Sequence, residues 1–266
     1  MSPSSRGSVA WALVLVGAML GAGCGSSGSA KPTATAPASK LRGPLTVFAA
    51  ASLTEAFTDE QAALATSDPA LKLTYSFAGS QALVQQIEQG APADVFASAG
   101  AKNMRALVDA GLVEAPQTFA RNELEIAVAP GNPKHITGLA DLERAGVVLV
   151  LEDPSVPAGD YALQAFANAG LPVPHAKSLE LDVKAALAKL TLGEADAVVV
   201  YVTDVRAAGA KVQGVEIPGA DNVFATYPIA VVKASKHRAA AEAFVDAMVR
   251  GSGQATLKAR GFLPPS

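Results

Sequence analysis

Uncharged hydrogen-bond donors recur in this sequence where an apolar segment gives way to a helical pattern. Ser52 follows a run of three alanines, Ser80 follows a glycine, and Tyr201 ends an apolar run with three consecutive valines. The first amides of a helix have no intrahelical acceptor and favour negative charge, and each hydroxyl adds one donor. Small neighbouring side chains let a ligand approach the backbone. These residues predict a site for a small anion.

Two further turns supply free backbone amides. Val156-Pro157-Ala158-Gly159 precedes a predicted helix at residue 160, and Asp182 precedes another at Val183. Hydrogen bonds to an ionised acceptor contribute ~1.5–3 kcal/mol each, so about six or seven would retain an anion after the cost of its desolvation.

Each position also has an interpretation that needs no ligand. Ser52, Ser80 and Asp182 are typical helix N-caps, and Glu55 would complete a capping box with Ser52. The proline turn fits an ordinary loop, and the tyrosine fits a half-buried core position. Spacing alone therefore predicts a small-anion site and does not identify the anion.

Apolar segments alternate with helix-periodic segments from Pro44 onward, which predicts an α/β fold with mostly parallel sheets flanked by helices. The predicted strands are 45–50, 71–77, 93–99, 123–129, 147–151, 197–202 and 223–233. The predicted helices are 54–64, 81–88, 102–110, 160–169, 183–192, 237–250 and 254–259.

The order of these elements predicts two lobes joined by two crossings. We expect residues 44–125 and 226–266 to form the first lobe and residues 126–225 to form the second. Ligands of open α/β folds bind at the carboxyl ends of strands and in clefts between lobes. The candidate donors should therefore meet in the cleft.

The N-terminal region has the features of an exported, anchored protein. Residues 1–23 contain Arg6 and an apolar run too short to span a bilayer, which predicts a signal peptide. Cys24 is the only cysteine, so no internal disulfide can form. Its surroundings resemble a bacterial lipobox, although Gly21 stands where that motif prefers Leu. We expect lipidation of Cys24 and a flexible tether over residues 24–43, with simple cleavage and a free thiol as the alternative.

Several functional classes lack support in the sequence. The net charge of −3 offers no basic face for nucleic acid. An exported hydrolase is a weak alternative, because the chain has neither a Gly-x-Ser-x-Gly elbow nor a His-Glu-x-x-His motif. The histidines, His135, His175 and His237, lack metal-ligand spacing. An adhesion or structural lipoprotein is a third possibility, which the predicted cleft disfavours. We expect no enzymatic activity and no cofactor.

The sequence resembles the molybdate-binding proteins of bacterial ABC transporters, which have the type II periplasmic-binding-protein fold. The resemblance extends from about Pro44 to the C-terminus. It rests on residues 45–54, 77–80 (Phe-Ala-Gly-Ser), 90–96 (Gly-Ala-Pro-Ala-Asp-Val-Phe), 153–162, 182–187, 200–201 and 227–232 (Tyr-Pro-Ile-Ala-Val-Val).

The resemblance implies a specific set of ligand contacts. Ser52 and Ser80 would each give a hydroxyl and an amide, Ala158 and Val183 would give amides, and Tyr201 would give its hydroxyl. Molybdenum would then be held as an oxyanion with no direct protein ligand. Some related proteins coordinate the metal through carboxylates, and Asp160 and Asp182 keep that arrangement open. Gly79 stands where relatives often have serine, which removes one possible hydroxyl.

The expected function is capture of molybdate, and of tungstate with it, for an ABC transporter permease and ATPase. The protein would be a monomer on the extracytoplasmic side of the cell membrane, held by the lipid on Cys24. A donor-only site favours a fully deprotonated anion, because a protonated phosphate would place its own hydrogen against a donor at a cost of ~1–3 kcal/mol. A receptor for sulfate or another oxyanion remains the alternative in the same class.

Overall fold

The computed structural model describes residues 41–265. The expected signal peptide, Cys24 and most of the expected tether lie outside these residues. Within the described range, no helix is both long and apolar enough to cross a membrane.

A mixed sheet forms the centre of the described chain. Its strand order is β2-β1-β3-β9-β4-β7-β5-β6, and β8 pairs with β4. The strands are β1 Gly43–Ala50, β2 Leu71–Ala78, β3 Val95–Ala97, β4 Gln117–Val128, β5 Leu149–Glu152, β6 Ser178–Glu180, β7 Ala197–Tyr201, β8 Gln213–Glu216 and β9 Phe224–Val231.

The sheet mixes parallel and antiparallel pairs. β1 is parallel to β2 and β3, and β5 is parallel to β6 and β7. By contrast, β4 is antiparallel to β7, β8 and β9, and β9 is antiparallel to β3. The chain runs along β4 in one direction and returns along β9 in the other, so these neighbours must pair antiparallel. The α/β fold is confirmed, with more antiparallel pairing than the sequence pattern predicted.

β4 changes its pairing partners along its length. Residues 117–123 pair with β9, and residues 124–128 pair with β7 and β8. The apolar residues of the central strands are buried on both faces, as Val47, Phe96 and Val199 illustrate. Burial on both faces explains why these strands read as continuous apolar runs.

Helices cover the sheet and begin close to strand ends. They are α1 Thr54–Ser67, α2 Ser80–Glu88, α3 Ala101–Asp109, α4 Pro157–Asn168, α5 Val183–Thr191, α6 Val202–Ala208, α7 Arg238–Arg250 and α8 Gly253–Ala259. The sequence did not predict α6, because no turn residue separates it from β7. It also did not predict the short strands β6 and β8, whose residues are mostly exposed or half-buried and lack an apolar run.

The connections that matter for the site follow the carboxyl ends of five strands. β1 runs into a single 3-10 turn, Ala51–Leu53, before α1. β2 leads to α2, β5 to α4, β6 to α5 and β7 to α6. Five helical starts therefore lie at strand ends, where backbone amides are free to bind a ligand.

Candidate anion-binding site

One small cavity brings together all five residues that the sequence singled out. Ser52, Ser80, Ala158, Val183 and Tyr201 line it. The volume open to the centre of a water-sized sphere is about 10 Å³, close to the roughly 10–15 Å³ that a single water needs. The other lining residues are small, apolar or acidic: Ala50, Ala51, Gly79, Ala99, Val156, Pro157 and Asp182.

Ser52 does not cap α1, and the predicted capping box with Glu55 is wrong. Ser52 lies in the 3-10 turn, and the N-cap position of α1 is Leu53, without a side-chain hydrogen bond. The extra turn moves the serine out of capping register. Its Oγ instead lies 2.9 Å from the hydroxyl of Tyr227, and the residue is 4% exposed. Glu55 binds the Nζ of Lys184 at 2.8 Å.

Ser80 is also displaced by one residue from the capping position. Gly79 is the N-cap of α2, and Ser80 is the first helical residue. The backbone N–H of Ala99 donates to Ser80 Oγ at 3.1 Å. A side chain is excluded at Gly79, because a Cβ there would lie 2.2 Å from the carbonyl oxygen of Leu181. A serine at position 79 would therefore not fit this conformation.

Ala158 and Val183 present amides in the first turns of α4 and α5. Asp182 is the N-cap of α5, as predicted, and its Oδ1 accepts from the amides of Lys184 and Ala185 at 2.9 Å each. The cap leaves the Val183 amide unused. α4 begins with Pro157, which has no N–H, so the amide of Ala158 is the first one available in that helix.

Gly159 lets the start of α4 pack against the end of β5. A Cβ at this position would lie 2.3 Å from the carbonyl oxygen of Asp153 and 2.6 Å from that of Glu152. Any other residue would push the helix away from the strand. This glycine therefore sets the position of the Ala158 amide in the cavity wall.

Tyr201 carries a buried hydroxyl that has no hydrogen-bond partner among the described residues. The residue is 1% exposed, and its ring packs edge-on against Tyr227 with centroids 5.8 Å apart. Burial raises the pKa of Tyr201 well above its usual value, so the phenol keeps its proton. An unpartnered buried hydroxyl costs about 1–3 kcal/mol, which a ligand oxygen in this cavity would offset.

The charges close to the cavity are paired with each other. Lys184 Nζ lies 3.0 Å from Asp204 Oδ1 as well as 2.8 Å from Glu55. Burial opposes the positive charge, but these two carboxylates outweigh it and raise the pKa of Lys184. None of the lining residues is Lys or Arg. The donors that line the cavity are therefore neutral, the lining carboxylate of Asp182 accepts from two helix amides, and the nearby Lys184 is already paired.

Carboxylate coordination of a metal receives no support from the geometry. The Asp182 carboxylate accepts two helix amides, and Asp160 does not line the cavity and accepts from Gln164 at 3.2 Å. Across residues 41–265, no group of three or more His, Cys, Asp and Glu side chains is arranged to hold a metal ion.

A second layer of buried polar residues was not predicted. Asn122 and Tyr227 lie behind Ser52, on β4 and β9, and Thr203 lies on α6. Glu152 ends β5, is 2% exposed, and neither carboxylate oxygen has a hydrogen-bond partner in the described structure. One feature of the sequence could have indicated this layer: a polar residue inside or at the end of an otherwise apolar strand, as at Asn122 and Glu152.

Comparisons with known proteins agree with this architecture. The family model for bacterial extracellular solute-binding proteins matches residues 45–263. The molybdate-binding protein ModA of Mycobacterium tuberculosis is 40% identical over 254 residues, which cover 94% of this chain and 97% of the relative. A putative ABC transporter substrate-binding lipoprotein of Bacillus subtilis, YvgL, is 29% identical over 92% of this chain and 93% of its own length.

A solved structure extends the agreement to three dimensions. The substrate-binding domain of a putative molybdenum ABC transporter from Clostridium difficile is 33% identical, with a TM-score of 0.63 over 83% of this chain and 98% of that one. The family predicted from the sequence motifs is therefore confirmed. The chain belongs to the bacterial extracellular solute-binding proteins and, within them, to the family of the ModA molybdate-binding proteins.

Proposed function

We propose that this protein captures molybdate, and tungstate with it, outside the cytoplasmic membrane and delivers the anion to an ABC transporter. The observation that carries the proposal is the buried hydroxyl of Tyr201, which has no hydrogen-bond partner within residues 41–265 and lies in a cavity that Ser52 and Ser80 also line. The family membership supports the same ligand, because relatives across most of this chain's length are molybdate-binding proteins.

The proposed contacts are the hydroxyls of Ser52, Ser80 and Tyr201, the amides of both serines, and the amides of Ala158 and Val183. Each charge-assisted bond contributes ~1.5–3 kcal/mol, and helix N-termini spread the charge of the dianion over several dipoles. A tetrahedral oxyanion without protons can accept from every one of these donors. The site would hold the anion without any bond from protein to metal and without a cofactor.

Catalysis receives no support from the same residues. A serine nucleophile needs an adjacent base, and the residues lining the cavity include no histidine. Ser52 contacts a tyrosine hydroxyl and Ser80 contacts a backbone amide. We therefore propose binding and release of the anion, with no chemical step.

We further propose that residues 44–125 with 226–266 form one lobe and residues 126–225 the other, joined through β4 and β9. Ser52 and Ser80 would then face Ala158, Val183 and Tyr201 across the cleft, so the anion would bind both lobes at once. Two contacts support closure around it: Lys184 with Glu55, and Gln81 Nε2 donating to the carbonyl oxygen of Leu181 at 2.8 Å. The closed monomer would be the form that the permease and ATPase complex recognises.

The proposed location is the outer face of the cell membrane. A lipid on Cys24 would anchor the protein, and residues 24–43 would form the tether that lets the domain reach its transporter. The composition of this segment, rich in Gly, Ser, Ala, Pro and Thr, supports a tether. The lipid anchor rests on the lipobox resemblance and on the position of the sole cysteine after the signal peptide.

A thermal-shift series with molybdate, tungstate, sulfate and phosphate tests the proposed ligand. A ligand that binds only the folded state stabilises it by RT ln(1 + [L]/Kd), roughly 4.1 kcal/mol at a thousandfold excess over Kd. We expect large increases in Tm with molybdate and tungstate and a negligible one with phosphate. Stabilisation by sulfate without stabilisation by molybdate would establish the sulfate-receptor alternative instead.

A further inference from the structure

We infer that Tyr227, which does not line the cavity, is a positioning residue that orients the Ser52 hydroxyl as a donor toward the anion. The inference rests on the proposed function and explains how the site would select anions that carry no proton. It starts from a buried chain of three side chains, Asn122, Tyr227 and Ser52, each at most 4% exposed.

The distances define one continuous hydrogen-bonded chain. Asn122 Nδ2 lies 3.4 Å from the Tyr227 hydroxyl, and that hydroxyl lies 2.9 Å from Ser52 Oγ. The same Nδ2 also donates to Thr203 Oγ1 at 2.8 Å. These hydrogen bonds connect strands β4 and β9 to the 3-10 turn at the cavity wall.

The amide of Asn122 sets the direction of this chain. Its Oδ1 accepts from the backbone N–H of Glu123 at 3.0 Å, which fixes the orientation of the side chain and turns the NH₂ group toward Tyr227. An NH₂ group can only donate. The Tyr227 oxygen therefore accepts from Asn122, and its own hydrogen is directed to Ser52 Oγ. Ser52 then receives a hydrogen bond from behind, and its own hydrogen is directed to the cavity.

Ser80 is oriented in the same way by a different group. The Ala99 amide, which can only donate, occupies an acceptor site on Ser80 Oγ. Tyr201 has no protein acceptor among the described residues and keeps its proton. All three hydroxyls would thus present hydrogens to the ligand. A protonated ligand oxygen would meet a hydrogen at each of them, whereas a fully deprotonated oxyanion would not.

Two substitutions in this hydrogen-bonded set of side chains distinguish orientation of the Ser52 hydroxyl from a role of Tyr227 in packing alone. Tyr227→Phe removes the donor to Ser52 without introducing charge. Asn122→Asp replaces the NH₂ group by a carboxylate oxygen of nearly the same size, which can only accept. The Tyr227 hydrogen would then turn to Asp at position 122, and the Ser52 hydrogen would turn back to Tyr227. Ser52 would present lone pairs to the cavity, which reverses its role.

The readout is the ratio of the Kd values for phosphate and molybdate, measured by calorimetry in mildly alkaline buffer. There phosphate is mainly a singly protonated dianion, so both ligands carry the same charge, and repulsion by the new carboxylate affects both equally. We expect Tyr227→Phe to weaken molybdate binding about fivefold or more. We expect Asn122→Asp to lower the phosphate Kd divided by the molybdate Kd about tenfold or more. Tyr75→Phe, which alters a buried hydroxyl that has no partner in the described chain, is the matched control.

The outcomes separate this inference from the proposed function. If the unaltered protein binds molybdate and folded Asn122→Asp keeps the original ratio, the inference is wrong and the function stands. If Asn122→Asp does not fold, the Tyr227→Phe variant provides the test. The inference is then overturned if Tyr227→Phe binds molybdate as tightly as the control Tyr75→Phe. If the unaltered protein binds no oxyanion, the proposed function itself fails.

Discussion

Lys184 on α5 forms an ion pair with Glu55 on α1, with Nζ and Oε2 2.8 Å apart, and the same ammonium lies 3.0 Å from Asp204. Lys184 directly follows Val183, which lines the cavity. A contact made by α5 at this point therefore connects the cavity wall to the helix that follows Ser52. We interpret the pair as part of the closure that retains the anion.

Glu55→Gln tests this interpretation, because it removes the pair while leaving Lys184 with Asp204. Both partners are about one-third exposed, so solvent screens the interaction and its contribution is about 0.2–1 kcal/mol. We expect molybdate to dissociate about two- to fivefold faster, with little change in the association rate. Stopped-flow kinetics measures both. Glu242→Gln, which disrupts an exposed pair with Arg238 elsewhere, is the control. Equal dissociation rates in the two variants would remove Glu55 from the closure.

Tyr201→Phe should have opposite effects on affinity and on stability. Its hydroxyl has no partner in the described structure, so removing it relieves a buried unsatisfied group. We expect the ligand-free protein to keep or raise its Tm and the Kd for molybdate to increase about 10- to 100-fold. Calorimetry with and without ligand measures both quantities. Unchanged affinity would show that the hydroxyl does not contact the anion.

Glu152 should make the stability of the ligand-free protein depend on pH. Burial, and then the nearby carboxylates of Asp204, Asp182 and Glu180, raise its pKa well above the ordinary 4.5. The folded state therefore keeps a proton that the unfolded chain releases once the pH exceeds that ordinary value. Because the folded state binds more protons, the free energy of unfolding falls as the pH rises from there toward the folded pKa.

Glu152→Gln removes this dependence while keeping the shape of the side chain. We expect the Tm of the variant, relative to the parent, to rise steadily from weakly acidic to weakly alkaline buffer, because only the parent loses stability. Thermal unfolding across this range, in buffers without oxyanions, measures the difference. Parallel Tm curves for the two proteins would mean that Glu152 titrates alike when folded and unfolded.

Cys24→Ser tests the proposed lipid anchor. We expect the parent, expressed in a bacterium that processes lipoproteins, to partition into detergent and the variant to remain in the aqueous phase. Mass spectrometry of the N-terminal peptide should find lipid on the parent cysteine. Molybdate affinity should be the same in both proteins, because the cavity lies within residues 50–201. An unmodified Cys24 thiol in the mature parent would favour simple cleavage of the signal peptide.

The sequence predicted which residues share a cavity better than it predicted the local role of each residue. Ser52, Ser80, Ala158, Val183 and Tyr201 line one cavity. Parallel pairing brings the carboxyl ends together within the group β1, β2 and β3 and within the group β5, β6 and β7, as the alternation of strands and helices indicated. The antiparallel strands β9 and β4 join the two groups, so the groups run in opposite directions. The capping role of Ser52 was wrong, because one 3-10 turn shifts the register and three alanines give no sign of it.

The second layer depends on contacts between distant parts of the chain. Ser52 and Tyr227 are 175 residues apart, and Asn122 and Tyr227 are 105 apart. Each of these residues reads as an isolated polar position in the sequence, and only the pairing of β4 with β9 brings Asn122 to Tyr227. The antiparallel pairs were missed for the same reason, since strand direction follows from the path of the chain and local composition does not encode it.

The most direct test of the central claim is a calorimetric titration of the purified protein with molybdate, followed by the same titration with sulfate. We predict saturation at one molybdate per chain, with tighter binding than sulfate, and loss of most of this affinity when Ser52 and Ser80 are both replaced by alanine. Tighter binding of sulfate, or molybdate binding that survives both substitutions, would contradict the account.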